Sequence, residues 1–266
     1  MPEMAEVEII RTELNRKIAS FTFDAVEPGL RYSHLDESLT GLQIQHVNRR
    51  GKFLLLYLSN DHELIIHLGM TGQLLVSDLE KASPKHTHFE SVLRNLTTGA
   101  VFKLLFVDPR RFGKVSLTKA GVYKGLLTRL GPEIFSKDHP TQALLRSKKP
   151  VKAILLDQHF MAGLGNYLCD EILFDANISP SRPGNTLHPS EIERIVASAR
   201  KIATNALEKG GLSFSDYVNT DGTLGHFQNH LKVYGRQGQS CYTCSQSLAT
   251  IKVAGRTTVF CGTCQR

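Results

Sequence analysis

Near the start of the chain, apolar residues fall at Val7, Ile10, Leu14 and Ile18. That three-to-four-residue spacing predicts an amphipathic helix beginning within the first few residues. The pattern then tightens. Phe53–Leu58, Leu64–Leu68, Gln73–Val76, His88–Leu93 and Val101–Val107 are short runs of leucine, β-branched and aromatic residues, broken by Ser59-Asn60-Asp61, Gly69, Gly72 and Thr97-Thr98-Gly99. Strands at that spacing predict a β-sandwich or barrel with the first helix packed on it. Residues 131–150 are polar and carry prolines, the composition of a linker. Helical periodicity returns over Val151–Phe160 and Asn166–Ala176. A long helix begins at His188-Pro189-Ser190, where Ser190 and Glu193 have capping-box spacing. It is predicted to stop at Gly210-Gly211, where positive φ comes without steric cost. The pattern as a whole is α+β: a sandwich first, helices after it.

The length, 266 residues, allows about two domains, and 41% hydrophobic residues can fill their cores. These figures exclude a disordered chain. No apolar run reaches the roughly 18 residues of a membrane helix, and the first eight residues carry three acids where a secretory signal carries Lys or Arg. A soluble, cytoplasmic protein with no membrane partner is expected, and no feature of the chain calls for more than a monomer. Lys and Arg exceed Asp and Glu by 32 to 25, a net charge of +7. The excess is uneven: residues 222–266 include Lys232, Arg236, Lys252, Arg256 and Arg266 and, beyond Asp221, no acid at all. Such a segment suits a polyanion, because cations that neutralise phosphates release condensed counterions; charge alone fits a solvated basic tail equally well.

Five cysteines are an odd number for a disulfide scaffold. Four of them form Cys241-x2-Cys244 and Cys261-x2-Cys264, with 16 residues between the pairs. This spacing fits four thiolates around one tetrahedral zinc, a closed and therefore structural site with no open position for catalysis. A hairpin of Thr250–Val253 and Thr257–Phe260 would join the two turns, with Arg256 at its tip. Cys169, within an apolar helix, reads as a buried core thiol.

Met1-Pro2-Glu3 is ordinary by itself, since a proline in second place favours a helix start and permits loss of the initiator methionine. That loss would also expose a secondary amine beside a carboxylate. An α-amino group has a pKa of about 7.7–8 against about 10.4 for lysine, so far more of it is nucleophilic at neutral pH.

Seven strings, in order along the whole chain, give this terminus its meaning: MPEMAEVE, RRGKF (49–53), HLGMTG (67–72), DPRRFG (108–113), LGPE (130–133), AGLGNYLCDEILF (162–174) and LKVYGRQGQSCYTC (231–244). With the cysteine ribbon they resemble the formamidopyrimidine-DNA glycosylase family. The resemblance implies an N-terminal catalytic β-sandwich (1–130), a linker (131–150), a helical DNA-binding domain with a helix–two-turns–helix (151–222) and a zinc ribbon (223–266). It implies a bifunctional enzyme that excises oxidised purines, formamidopyrimidines and 8-oxoguanine, from duplex DNA and then cleaves the abasic strand as a lyase. Pro2 would be the nucleophile forming an imine with C1′, Glu3 the acid/base carboxylate, and Glu6 its support. Lys52 would hold phosphate and assist the base, and Arg256 would clamp the backbone beside the lesion. Chemically these types fit, because glycosidic cleavage builds positive charge on the sugar and elimination needs proton donors and acceptors.

The same resemblance assigns Met70, Arg110 and Phe112 to the space an extruded nucleotide leaves, Arg111 to the backbone, and Asn166, at a helix start after Gly163-Leu164-Gly165, to a phosphate. Taken singly, Lys52 reads as a strand-end lysine, and Met70 and Phe112 as core residues. Two positions depart from the family: Ala5 where proline is usual and Met4 where leucine is usual. Losing a pre-set φ costs about 0.5–1 kcal/mol of rigidity and no catalytic group. Residues 211–227 occupy the lesion-recognition loop region. Two other functions stay open: a catalytically weak protein of this fold that binds damaged or abasic DNA, and an endonuclease VIII-like activity on oxidised pyrimidines. HLGMTG and DPRRFG favour the purine branch. Outside the family, a zinc-ribbon nucleic-acid adaptor would leave the N-terminal strings unexplained.

Overall fold

The structure is a computed structural model that describes all residues except 30–31, 33–34, 36–38, 120, 122–126, 140 and 215. It divides into two compact units, Met1–Leu127 with Lys209–His226, and Thr128–Glu208 with Phe227–Arg266. The division returns residues 209–226 to the first unit, whereas the sequence places the end of the helical domain at 222.

In the first unit, helix α1 (Met4–Ile18) precedes eight strands: β1 (Thr22–Pro28), β2 (Ile44–Arg50), β3 (Phe53–Leu58), β4 (His62–His67), β5 (Gln73–Asp78), β6 (Thr87–Arg94), β7 (Val101–Val107) and β8 (Lys114–Lys119). They pair antiparallel into two four-stranded sheets, ordered β1-β6-β7-β5 and β2-β3-β4-β8. One apolar cluster draws on both sheets and on α1, including Ile10, Leu14, Phe23, Leu54, Ile66, Leu74, Phe89 and Phe106, all fully buried. The α1 stripe read from the sequence, Val7, Ile10, Leu14 and Ile18, is the face it buries.

Three strands lie outside the runs read from the sequence. In β1 and β2, register shifts between Phe23 and Ala25 and between Ile44 and His46 break the two-residue alternation that marks a strand. Strand β8 lies at a sheet edge, and Val115 is its one buried apolar residue.

The second unit contains α2 (Thr141–Arg146), α3 (Val151–Leu155), α4 (Asn166–Asp175), α5 (Pro189–Glu208) and a hairpin of β9 (Ala249–Val253) and β10 (Arg256–Phe260). Residues 131–150 are part of this unit and not a linker. Ile134 and Leu144 are buried and α2 lies within the segment. Its polar composition reflects the exposed side of a short helix. Helix α3 ends five residues before its predicted end, since Asp157 and Gln158 turn their side chains to local backbone, Asp157 Oδ1 taking the His159 N–H at 2.9 Å. Between α4 and α5 the chain makes two turns: Asn177 at φ +58, then a 3-10 turn at Gly184–Thr186. Helix α5 starts at Pro189, within the expected His188-Pro189-Ser190. Glu191, not Glu193, reaches back to the His188 N–H at 2.8 Å, because proline in the first helical position sets the start there. The helix ends where expected, with Gly210 and Gly211 at φ +73 and +83. Cys169 is fully buried. No helix among the described residues is long and apolar enough to cross a membrane.

The interior of the first unit is close-packed around α1, so shortening a side chain there leaves a cavity. Leu14→Ala is expected to lower the unfolding free energy by about 2–5 kcal/mol, read from the denaturant midpoint at unchanged slope.

Candidate functional site

The start of α1 is tied down from both sides. Glu3 is its N-cap in extended conformation, and the Glu3 N–H donates to Glu6 Oε2 at 2.8 Å in a reciprocal capping box. The other carboxylate oxygen of Glu6, Oε1, accepts the Leu212 N–H at 2.8 Å. Glu3 and Glu6 are 3% and 1% exposed, and Pro2 beside them is buried. Met1 is 51% exposed, and while it stays attached the Pro2 nitrogen is an amide. Met4 and Ala5, the departures from the family pattern, are fully buried in the first turn, and the helix forms without the proline.

Lys52 lies in the two-residue turn joining β2 to β3, where Arg50 pairs with Phe53 and Gly51 has φ +56. Arg49 fixes this turn, donating to the Gly51 carbonyl at 2.7 Å and to Glu8 Oε2 at 2.8 Å, which links it to α1. Phe53 pairs across the sheet with His67. Burial, then the positive charges of Lys52 and Lys114, push the His67 imidazole down to about 4. The Gly69 N–H donates to His67 Nδ1 at 3.2 Å, so the neutral ring carries its proton on Nε2. His67 is absent from the residues read out of the sequence. Its signals are its place as the first residue of the HLGMTG string and its position at the end of a strand next to the lysine turn.

Met70 lies in the β4–β5 loop and Arg110, Arg111 and Phe112 in the β7–β8 loop. The two loops touch through their backbones: a Cβ on Gly69 would stand 2.6 Å from Phe112 C and Gly113 N. Met70 is half-buried, and the three residues of the other loop are exposed. The Arg110 guanidinium lies over the Phe112 ring at 4.8 Å. Arg111 has φ +56 and donates its N–H to the Asp108 carbonyl at 3.1 Å.

In the second unit Asn166 is the first residue of α4, after the Gly165 N-cap. Its amide is fully oriented: Oδ1 accepts from Lys152 Nζ at 2.7 Å, and Nδ2 donates to the Thr257 carbonyl at 3.0 Å. Asn166 and Arg256, far apart in sequence, are thereby neighbours. Lys152 is wholly buried and also meets Thr258 Oγ1 at 2.7 Å and Asp170 Oδ1 at 2.6 Å. Sequence reading passed over Lys152 because a lone lysine in a helical stretch carries no pattern.

Arg256 is exposed at the start of β10, and the preceding turn residues Ala254 and Gly255 have φ +48 and +72, as a tight two-residue hairpin needs. The Sγ atoms of Cys241, Cys244, Cys261 and Cys264 all lie within 4.8 Å of one another, with 3.9 Å between Cys241 and Cys264 and 3.4 Å between Cys244 and Cys261. Four thiolates at about 2.3 Å from a tetrahedral ion stand roughly 3.8 Å apart, so the four residues fit one metal ion. Backbone N–H groups of Thr243 and Cys264 point at the Cys241 and Cys261 sulfurs, each at 3.4 Å, the arrangement that supports thiolates.

A two-sheet unit with a buried, capped N-terminus, and a second unit with a helix–two-turns–helix and a four-thiol ribbon, define the class of α+β DNA-repair glycosylases. Residues 1–115 match the family model for the formamidopyrimidine-DNA glycosylase N-terminal domain, and residues 130–217 match that for its H2TH domain. Formamidopyrimidine-DNA glycosylases of Rickettsia africae and Desulfitobacterium hafniense are each 37% identical to the chain, covering all of it and 99% and 100% of those proteins. Among solved structures, the complex of Lactococcus lactis Fpg with abasic-site DNA aligns at a TM-score of 0.90 and 34% identity, over 99% of both chains. The MutM (Fpg) protein of Thermus thermophilus aligns at 0.87 and 40%, over 99% of this chain and 98% of that one. The chain belongs to the formamidopyrimidine-DNA glycosylase family.

In the free protein, the His67 ring is expected to titrate near pH 4 by NMR. Its folded-state value lies below the unfolded one, so its neutral form favours folding above about pH 6.5. That contribution is lost as pH falls from there to about 4, and His67→Phe should flatten stability over this window.

Proposed function

We propose that this protein removes oxidised purines, formamidopyrimidines and 8-oxoguanine, from duplex DNA with an amine at Pro2 and then cleaves the abasic strand. One observation carries the reading: the second residue of the chain is buried beside two carboxylates, in a helix start held by hydrogen bonds on both sides. The names of the relatives support the substrate class, and the Lactococcus lactis Fpg structures include DNA containing an abasic site and N7-benzyl-Fapy-dG.

Loss of Met1 converts the Pro2 nitrogen into a secondary amine. Its lone pair attacks C1′ and displaces the base, which leaves with the electrons of the glycosidic bond and takes up a proton. Opening of the sugar ring gives an iminium between Pro2 and C1′. Loss of the C2′ proton then expels the 3′-phosphate, loss of the C4′ proton in a second elimination expels the 5′-phosphate, and water hydrolyses the remaining iminium to free the Pro2 amine. Glu3 exchanges protons with the sugar, and Glu6, whose oxygens hold the Glu3 and Leu212 N–H groups, keeps the helix start in place. Lys52 presents its ammonium, and His67 an uncharged N–H, to the phosphate of the reacting nucleotide. Met70 and Phe112 fill the vacated stack and Arg110 bonds the orphaned base, while Arg111 meets backbone phosphate. Asn166 and Arg256 hold a phosphate from the second unit. Cys241, Cys244, Cys261 and Cys264 would hold one zinc ion, which would fix the ribbon that carries Arg256 and leave no open position for bond making. The protein acts as a monomer on chromosomal DNA in the cytoplasm.

Borohydride reduction with duplex DNA bearing 8-oxoguanine should give a covalent protein–DNA adduct. Peptide mapping should place the bond on Pro2, and Pro2→Gly should slow its formation sharply. No adduct with folded, Met1-free protein would leave a DNA-binding protein and remove the enzyme. Elemental analysis should find one zinc per chain. Cys244→Ser should lose the metal and raise hydrogen exchange over residues 238–266.

A further inference from the structure

Thr71 and Asp108 lie under the two loops that carry Met70, Arg110 and Phe112, and no step above uses them. Asp108 is 1% exposed and Thr71 5%. No cation pairs with Asp108 among the described residues; neutral donors satisfy its carboxylate. Oδ1 accepts the Thr71 hydroxyl at 2.5 Å and Oδ2 accepts the Gly113 N–H at 2.7 Å. The Thr71 oxygen in turn accepts the Arg110 N–H at 3.3 Å. On the backbone, the Asp108 N–H donates to the His86 carbonyl at 3.0 Å, and its own carbonyl accepts Arg111 N–H and His88 Nε2, each at 3.1 Å.

These bonds cross from one loop to the other. Thr71 directly follows Met70, and its hydroxyl touches the Asp108 carboxylate and the Arg110 N–H in the other loop. The loops meet where no side chain intervenes, since Gly69 leaves no room for a Cβ against Phe112 and Gly113. Gly113 is as confined, with a Cβ there 2.4 Å from Phe106 Cζ and 3.1 Å from Asp108 Oδ2. An isolated loop turns about its ends, whereas two loops bonded through a buried carboxylate move together.

We propose that Thr71 and Asp108 are positioning residues that join the two loops into one rigid wedge, so that Met70, Arg110 and Phe112 enter the DNA stack in fixed register. This rests on the function proposed above. The wedge acts only on stacked duplex; chemistry at an abasic site in single-stranded DNA has no stack to open.

The test compares wild type, Thr71→Val, which keeps the shape without the hydroxyl, and Thr71→Ser, which restores it. Single-turnover excision of 8-oxoguanine from duplex is read against cleavage of a single-stranded abasic oligonucleotide. A third readout is the fluorescence of 2-aminopurine beside an uncleavable abasic analogue in duplex, which reports stack opening without chemistry. Thr71→Val should slow duplex excision and the fluorescence rise by between about tenfold and a hundredfold, with single-strand cleavage unchanged and Thr71→Ser close to wild type. Equal loss on both DNA forms, or full duplex activity and a normal fluorescence rise in Thr71→Val, would overturn the wedge. Wild type that opens the stack yet cleaves neither substrate would sink the proposed reaction instead, and the fluorescence comparison would still judge the wedge.

Discussion

The first turn of a helix leaves four backbone N–H groups without internal partners, and a chain end frays unless something holds it. The placement of the second residue, proposed above as the reacting group, therefore depends on how α1 begins. Here Glu3 and Glu6 exchange backbone and side-chain bonds, Glu6 takes a further N–H from Leu212, and the apolar stripe from Val7 to Ile18 seals the helix into the core. Each link alone is worth about 1 kcal/mol. Together they turn the most mobile part of an ordinary chain into a fixed point, and the site assembled on β2–β3 and on the two loops has meaning only relative to that point.

The same helix also holds the segment 209–226. Glu13 accepts from Asn219 Nδ2 and from both the N–H and hydroxyl of Thr220, and Lys17 meets Thr220 and Asp221. The Thr220 carbonyl continues to the Val76 N–H at 2.8 Å, on strand β5. Glu6, Glu13 and Lys17 thus fasten one irregular segment to one helix, within the same unit. Tightening or loosening this segment is felt at the helix start through Leu212, so the segment and the placement of the N-terminus are physically coupled. The Tyr217 ring packs in the core against this contact, and burial, followed by the charges of Glu6 and Glu13, raises its phenol above the ordinary tyrosine value.

Where a sequence pattern repeats, the fold was legible in it. The α1 stripe, five of the eight strands among the described residues of the first unit, the end of α5 at a glycine pair and the thiol ribbon all follow from spacing alone. The pattern failed at β1 and β2, where a bulge shifts the alternation, and at 131–150, where a polar surface hides the buried Ile134 and Leu144. The candidate site was less legible, because it is built from contacts between distant segments. Nothing local marks His67 as a neutral ring between two lysines, Lys152 as the partner of Asn166, or Thr71 as the bridge to Asp108. Resemblance supplied the family's residues, but not the groups that hold them.

Lys152 illustrates what such holding groups do. An asparagine amide has an accepting and a donating end that differ little in shape, so packing alone does not choose between them. An ammonium can only donate. Placed 2.7 Å from Asn166, with its other protons on Thr258 and Asp170, it admits Oδ1 alone and turns Nδ2 toward Thr257 and the start of β10. Asp170 neutralises the buried charge and also takes the Val259 N–H at 3.1 Å, and Glu171 beside it gathers the N–H groups of Lys232, Val233 and Tyr234. Burying three charges is costly unless every polar atom near them is used. The return is directional: the Asn166 amide is held with its donating end on the Thr257 carbonyl, next to the exposed Arg256 at the start of β10.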